Sequence, residues 1–111
     1  MPEQFNHELY KMQAELCKTF SEPKRLIIIS ALRGGEKSVG ELIEILQTPQ
    51  TAVSRHLAIL RHRGIVAARR KGTNIYYSLT SPRIGEACDI VREVLLEQVA
   101  RNKEIAKKFN V

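Results

Sequence analysis

The hydrophobic period of this 111-residue chain changes at Gly64, and that change limits the folds open to it. Before Gly64 the apolar residues recur about every 3.6 positions, as on helices. From Ile65 to Arg70 and from Asn74 to Leu79 they fall in short period-2 runs rich in strand-forming residues, joined through Lys71-Gly72 as a hairpin. After Ser81-Pro82 the helical spacing returns through Ile84, Cys88, Val91 and Leu95, predicting one long final helix that continues past Val99 toward Lys103 to Lys108. The sequence therefore predicts a mainly α fold with one small β-hairpin.

The segment before Gly64 reads as four helices. Phe5, Leu9, Met12, Leu16 and Phe20 form one apolar stripe, giving a first helix over about residues 4 to 20. Ser21 and Pro23 supply a cap and a first-turn proline for a buried second helix, Leu26 to Leu32, closed by Gly34-Gly35. Ser38-Val39-Gly40-Glu41 is a capping box that starts a third helix through Leu46. Thr48 as N-cap and Pro49 as first residue start a fourth, whose inward stripe is Val53, Leu57 and Leu60. Only the turn at Gln47 separates the third helix from the fourth. Two short helices at a tight turn, followed at once by a hairpin, make a winged helix-turn-helix, whose second helix fits the major groove of duplex DNA.

Charge supports that reading. Between Ile45 and Gly85 there is no Asp or Glu, yet Arg55, Arg61, Arg63, Arg69, Arg70, Lys71 and Arg83 all lie there. The chain carries 18 Lys+Arg against 12 Asp+Glu, so without these residues it is close to neutral. A localised positive face is the footprint of a polyanion partner. With aromatics at 5% and no Trp, a stacking platform for single strands is disfavoured and duplex binding is favoured. On the outward side of the fourth helix stand Gln50, Thr51, Ser54, Arg55, Ala58 and His62. Gln pairs with adenine N6/N7, Arg with guanine O6/N7, and Ser and Thr with bases or phosphate.

These residues, with Ser21-Glu22-Pro23-Lys24-Arg25-Leu26, Ser38-Val39-Gly40-Glu41-Leu42, Gln50 through Leu57, Leu60-Arg61, Gly64-Ile65-Val66 and Lys71-Gly72 leading to Tyr76-Tyr77-Ser78-Leu79, resemble an ArsR/SmtB-family transcriptional repressor over nearly the full length. The resemblance implies a dimer formed by the first and last helices, with two recognition helices reaching successive major grooves of double-stranded DNA, and the symmetry of such a homodimer predicts an inverted-repeat operator. Gln50, Thr51, Ser54 and Arg55 align with the family's DNA-contacting positions and Arg69 to Thr73 with its wing, so the expected DNA-binding set is Gln50, Thr51, Ser54, Arg55, Arg61, Arg69, Arg70, Lys71 and Thr73. The expected dimer interface is Phe5, Leu9, Met12, Leu16, Ile84, Val91 and Leu95. The whole chain, residues 1–111, is expected to be one domain, with the helix-turn-helix at about 38–63, the wing at about 65–79 and the dimerisation helix at about 82–108.

The family's sensor sites do not carry over. The arsenic and lead cysteine positions match Ser38, Gly40 and Ile43, the zinc positions match Ser81, Arg83, Val94 and Glu97, and the persulfide cysteines match Ser30 and Leu96. Only Glu97 keeps a ligating side chain of the right kind, so no metal and no cofactor is assigned. Cys17 and Cys88 are the soft ligands that remain. Inert core thiols are the favoured reading, since Cys is among the most buried residue types, and a thiol sensor answering a redox signal is the alternative. An unidentified small inducer also fits the family pattern. His56 and His62 have no carboxylate or thiol beside them in sequence, and of Tyr76 and Tyr77 one should pack and the other face out.

An enzyme is not expected: the chain has no nucleophile elbow, phosphate loop or HExxH run, and its acid-free stretch leaves no carboxylate for general acid or base work near the positive face. The longest apolar run, Leu26 to Ile29, is too short for a bilayer span, and two distant cysteines without a secretory segment point to a reducing cytosol. The competing function class is a winged-helix module that contacts protein or RNA without an operator.

Overall fold

The computed structural model describes residues 6–110, so Phe5 lies outside the described residues. The chain divides into two compact units, one ending at Ser81 and the other beginning at Pro82. In the first unit the order is α1 (His7–Thr19), α2 (Pro23–Leu32), β1 (Lys37–Ser38), α3 (Val39–Leu46), α4 (Gln50–His62), β2 (Val66–Lys71) and β3 (Asn74–Leu79). The second unit holds α5 (Arg83–Arg101) and α6 (Lys103–Phe109).

The core of the first unit contains the expected stripe of α4 and part of α2, together with residues the sequence reading did not name. Ile28, Ile29 and Leu32 of α2, Leu42 of α3, and Val53, Leu57 and Leu60 of α4 are all buried, and Ile65 and Val66 close the same core at the start of the wing. The expectation of a fully buried α2 is too broad. Leu26 and Ile27 are exposed, because a helix packed on one side against α3 and α4 still turns its other side to solvent.

The helix starts follow local hydrogen bonding. Asn6 Oδ1 caps α1 by accepting from the Leu9 N–H at 3.2 Å. Glu22, and not Ser21, caps α2: its carboxylate accepts from the N–H groups of Lys24 and Arg25 at 2.8 and 3.2 Å. Ser21 instead donates its hydroxyl to the Lys18 carbonyl at 2.6 Å. At α3 the capping box is present in both directions, Glu41 N–H to Ser38 Oγ and Ser38 N–H to Glu41 Oε1, each at 3.1 Å. The Ser38 N–H bond, with the Ser38 hydroxyl after it, holds the Glu41 carboxyl below the ordinary carboxylate range.

The sheet has the order β1-β3-β2 and is antiparallel throughout, with Val66 opposite Leu79 and Lys71 opposite Asn74. Lys71 is therefore a strand residue, and the two-residue turn is Gly72-Thr73. Gly72 has φ +64, a conformation that the first position of such a hairpin turn requires and that glycine adopts without a Cβ penalty. Strand β1 has no counterpart in the sequence reading, since two residues cannot display a period. Tyr76 and Tyr77 are both half-buried, so the expected alternation of packed and exposed rings is not sharp.

The final helix also differs from the reading. It stops at Arg101, and Asn102 re-caps the chain: its Oδ1 accepts from the N–H groups of Glu104 and Ile105, each at 3.2 Å, to start α6. Val99 of α5 and Ala106 of α6, two helices that pack on each other, are buried. No helix among the described residues is long and apolar enough to cross a membrane.

Candidate nucleic-acid interface

Helix α4 is fixed at both ends by its neighbours. Before it, Gln47 takes a left-handed conformation (φ 49, ψ 47), with its N–H bonded to the Ile43 carbonyl at 2.9 Å. Thr48 does not act as the N-cap. Its hydroxyl donates to the Leu46 carbonyl at 2.9 Å and the side chain is buried, so Pro49 takes the cap position and Gln50 opens the helix. No side chain caps the first N–H groups of α4.

At the far end Gly64, at φ +76, donates to the Arg61 carbonyl at 3.0 Å, and Ile65 donates to the Leu60 carbonyl at 2.9 Å. This pair of bonds is a Schellman motif, and its usual apolar contact is supplied by buried Leu60 and Ile65. The helix stop and the first core residue of the wing are thus one structural device. Thr80 closes the base of the wing by donating its hydroxyl to the Gly64 carbonyl at 2.7 Å.

With 3.6 residues per turn, Thr51, Arg55, Ala58 and His62 lie opposite the stripe of Val53, Leu57 and Leu60, with Ser54 beside them. All of these outward residues are exposed, as are Gln50 and Arg61. His62 sits at the last turn, where with Leu9, Met12, Gln13, Glu15, Leu16 and Arg63 it lines a shallow and mainly apolar groove between α1 and α4. That position separates it from the polar cluster at the start of the helix.

The positive footprint is narrower than the acid-free stretch suggests, because acids from elsewhere in the fold reach into it. Arg63 is paired with Glu15 of α1 at 3.1 Å. Arg69 is paired through its Nε and Nη2 with both carboxylate oxygens of Glu36, the Nε bond measuring 3.3 Å, and its guanidinium lies 5.3 Å from the centre of the Tyr76 ring. The hydrogen bond from Arg69 holds the Glu36 carboxyl below its ordinary range, and the same bond raises the Arg69 pKa. Arg55, Arg61, Arg70, Lys71 and Thr73 are exposed.

His56 belongs to a different network that local sequence did not reveal. Its Nε2 lies 3.7 Å from Glu22 and its Nδ1 lies 3.5 Å from Arg25, whose Nε donates to the Thr19 carbonyl at 2.7 Å. These contacts tie the α1–α2 corner to α4, so His56 has a positioning role. Among the described residues no group of three or more His, Cys, Asp or Glu side chains is placed to hold a metal ion. Cys17 is exposed and Cys88 half-buried in the protomer.

Residues 22–68, which span the α2 cap, the helix-turn-helix and the first strand of the wing, match the model for "Bacterial regulatory protein, arsR family". An HTH-type transcriptional regulator of Mycobacterium tuberculosis, Rv0081, is 40% identical over 88 residues, covering 78% of this chain and 77% of the relative. The chain belongs to the arsR family of bacterial regulatory proteins. The crystal structure of Rv0081 superposes with a TM-score of 0.76 at 37% identity, covering 84% of this ArsR-family chain and 94% of that one. The crystal structure of the transcriptional repressor BigR from Xylella fastidiosa gives a TM-score of 0.72 at 33% identity, covering 85% and 96%. A solution structure of the homodimeric winged helix-turn-helix DNA-binding domain of Mb0332 from Mycobacterium bovis gives 0.76 at 27% identity, covering 87% and 90%.

Proposed function

We propose that this ArsR-family protein is a cytoplasmic, homodimeric repressor that binds an inverted-repeat operator in double-stranded DNA, with residues 1–111 acting as one winged helix-turn-helix domain. It is a DNA-binding transcriptional regulator and not an enzyme. The observation that carries the operator reading is the division of α4, whose inner stripe is fully buried while Gln50, Thr51, Ser54 and Arg55 stand exposed in its first two turns. In this reading Gln50 and Arg55 read base edges, Thr51 and Ser54 contact bases or phosphate, and Arg61, Arg70, Lys71 and Thr73 contact the backbone. The uncapped first turn of α4 leaves N–H groups that suit a phosphate oxygen.

Dimerisation is supported by the apolar side chains that the protomer leaves in solvent. Leu9 and Met12 of α1 are 56% and 65% exposed, and Val91 and Leu95 of α5 are 70% and 54% exposed. Leu16 belongs to the same exposed set, whereas Ile84 is half-buried and contributes less area to a partner. The named homodimer of Mb0332 points the same way. Sedimentation at micromolar concentration should give a dimer, and Val91→Glu should shift it toward monomer and weaken operator binding. A wild-type monomer that binds a single asymmetric site would contradict the proposal.

A further inference from the structure

We propose that Glu36 limits the affinity of this regulator for DNA by holding Arg69 against the sheet, away from the phosphates. The inference rests on the DNA-binding reading and adds to it a residue outside both the recognition helix and the wing.

The sheet register explains why an acid 33 positions away finds Arg69. Arg69 of β2 lies opposite Tyr76 of β3, and Tyr76 lies opposite Ser38 of β1. Residues directly opposite in an antiparallel sheet project from the same face, so Ser38, Tyr76 and Arg69 form one row. Glu36 stands immediately before β1, two residues ahead of Ser38, and its carboxylate reaches Arg69. Gly35, at φ +128, delivers the chain to Glu36 through a conformation that L side chains rarely adopt. The result is a guanidinium held twice, by a two-oxygen contact to Glu36 and by the face of the Tyr76 ring.

The bases of the wing are therefore unequal. Arg70 lies opposite Ile75 and projects from the other face, and Lys71 lies beside the turn opposite Asn74. Arg69 has its charge offset by a carboxylate and its planar group committed to an aromatic ring. A phosphate that recruits Arg69 competes with Glu36 for its guanidinium, and Glu36 itself presents a like charge to that phosphate. Both effects oppose binding, and both are lifted by removing the carboxylate charge.

The test is operator binding as a function of salt for four proteins: wild type, Glu36→Gln, Arg69→Ala and the double variant, with thermal unfolding recorded for each to confirm folding. Glu36→Gln should bind several-fold more tightly and steepen the plot of log K against log salt by about 0.9 per wing, the increment for one more phosphate contact. Arg69→Ala should leave the wild-type slope unchanged, and in the Arg69→Ala background Glu36→Gln should gain clearly less than in wild type, keeping only the relief of the like charge. The proposal is overturned if Glu36→Gln binds equally or more weakly, if its gain persists undiminished without Arg69, or if Arg69→Ala alone flattens the slope. Wild type that retains no duplex DNA at any salt would instead defeat the DNA-binding reading itself.

Discussion

Leu57→Ala tests whether the inner face of the recognition helix is what holds it in place. Leu57 is 1% exposed and lies between Val53 and Leu60 on the buried stripe of α4. Trimming its side chain to a methyl removes three carbon groups, worth about 0.8 kcal/mol each in transfer free energy. The cavity left among well-packed neighbours adds to that, for a total of about 3 to 4 kcal/mol. A unit that ends at Ser81 has an expected stability of about 4 to 12 kcal/mol, so this single change removes a quarter or more of it. At roughly 4 to 8 °C per kcal/mol the melting temperature should fall by more than about 12 °C. Urea denaturation of wild type, Leu57→Ala and Ile59→Ala is the assay. Ile59 is on the same helix but 36% exposed, and its truncation should cost about half as much. A loss below about 1 kcal/mol for Leu57→Ala, or a larger loss for Ile59→Ala, would refute the assignment of the inner face. Base preference of the folded Leu57→Ala protein should be unchanged, since the substitution touches no outward residue.

Further expectations separate the other roles. Arg55→Ala or Gln50→Ala should cost about 1 to 3 kcal/mol on the preferred site and relax preference at one base pair per half-site, whereas Arg70→Ala or Lys71→Ala should weaken all duplexes alike and lower the salt slope by about 0.9 per wing; competition and salt titrations distinguish the two classes. Glu41 has its folded pKa depressed by the Ser38 bonds, so its stabilising contribution is present above the ordinary carboxylate pKa and lost as pH falls through the depressed value. Glu41→Gln should accordingly be less stable than wild type at neutral pH, with the gap closing in acid, as followed by urea denaturation across pH. Cys17→Ser, at an exposed position, should change stability by less than about 0.5 kcal/mol and leave operator affinity under oxidant the same as wild type, and loss of wild-type binding on oxidation that the substitution abolishes would assign Cys17 a sensing role.

What could be read from the sequence was what local physics decides. The Ser38-Glu41 capping box, the glycine stop at Gly64 and the buried triad of Val53, Leu57 and Leu60 each follow from spacing within a few residues, and each stands in the structure. Cap choice was harder, because adjacent polar residues compete. Ser21 and Thr48 spend their hydroxyls on the carbonyls of Lys18 and Leu46, leaving the cap positions to Glu22 and Pro49. The break at Asn102 carried a readable signal, an Asn before Lys103-Glu104, but the continuing charge pattern masked it. The pairs Glu15–Arg63 and Glu36–Arg69 join residues 48 and 33 positions apart, so no local pattern could disclose them. They are the reason that the acid-free stretch overstated the positive face.

Operator recognition is decided by selecting bound duplexes from a random pool with the purified protein. An inverted repeat should be enriched, with half-site centres about 10.5 bp apart or a multiple of that, and Arg55→Ala should relax one symmetric pair of positions. Recovery of no preferred sequence, or of a single asymmetric site indifferent to Arg55, would contradict it.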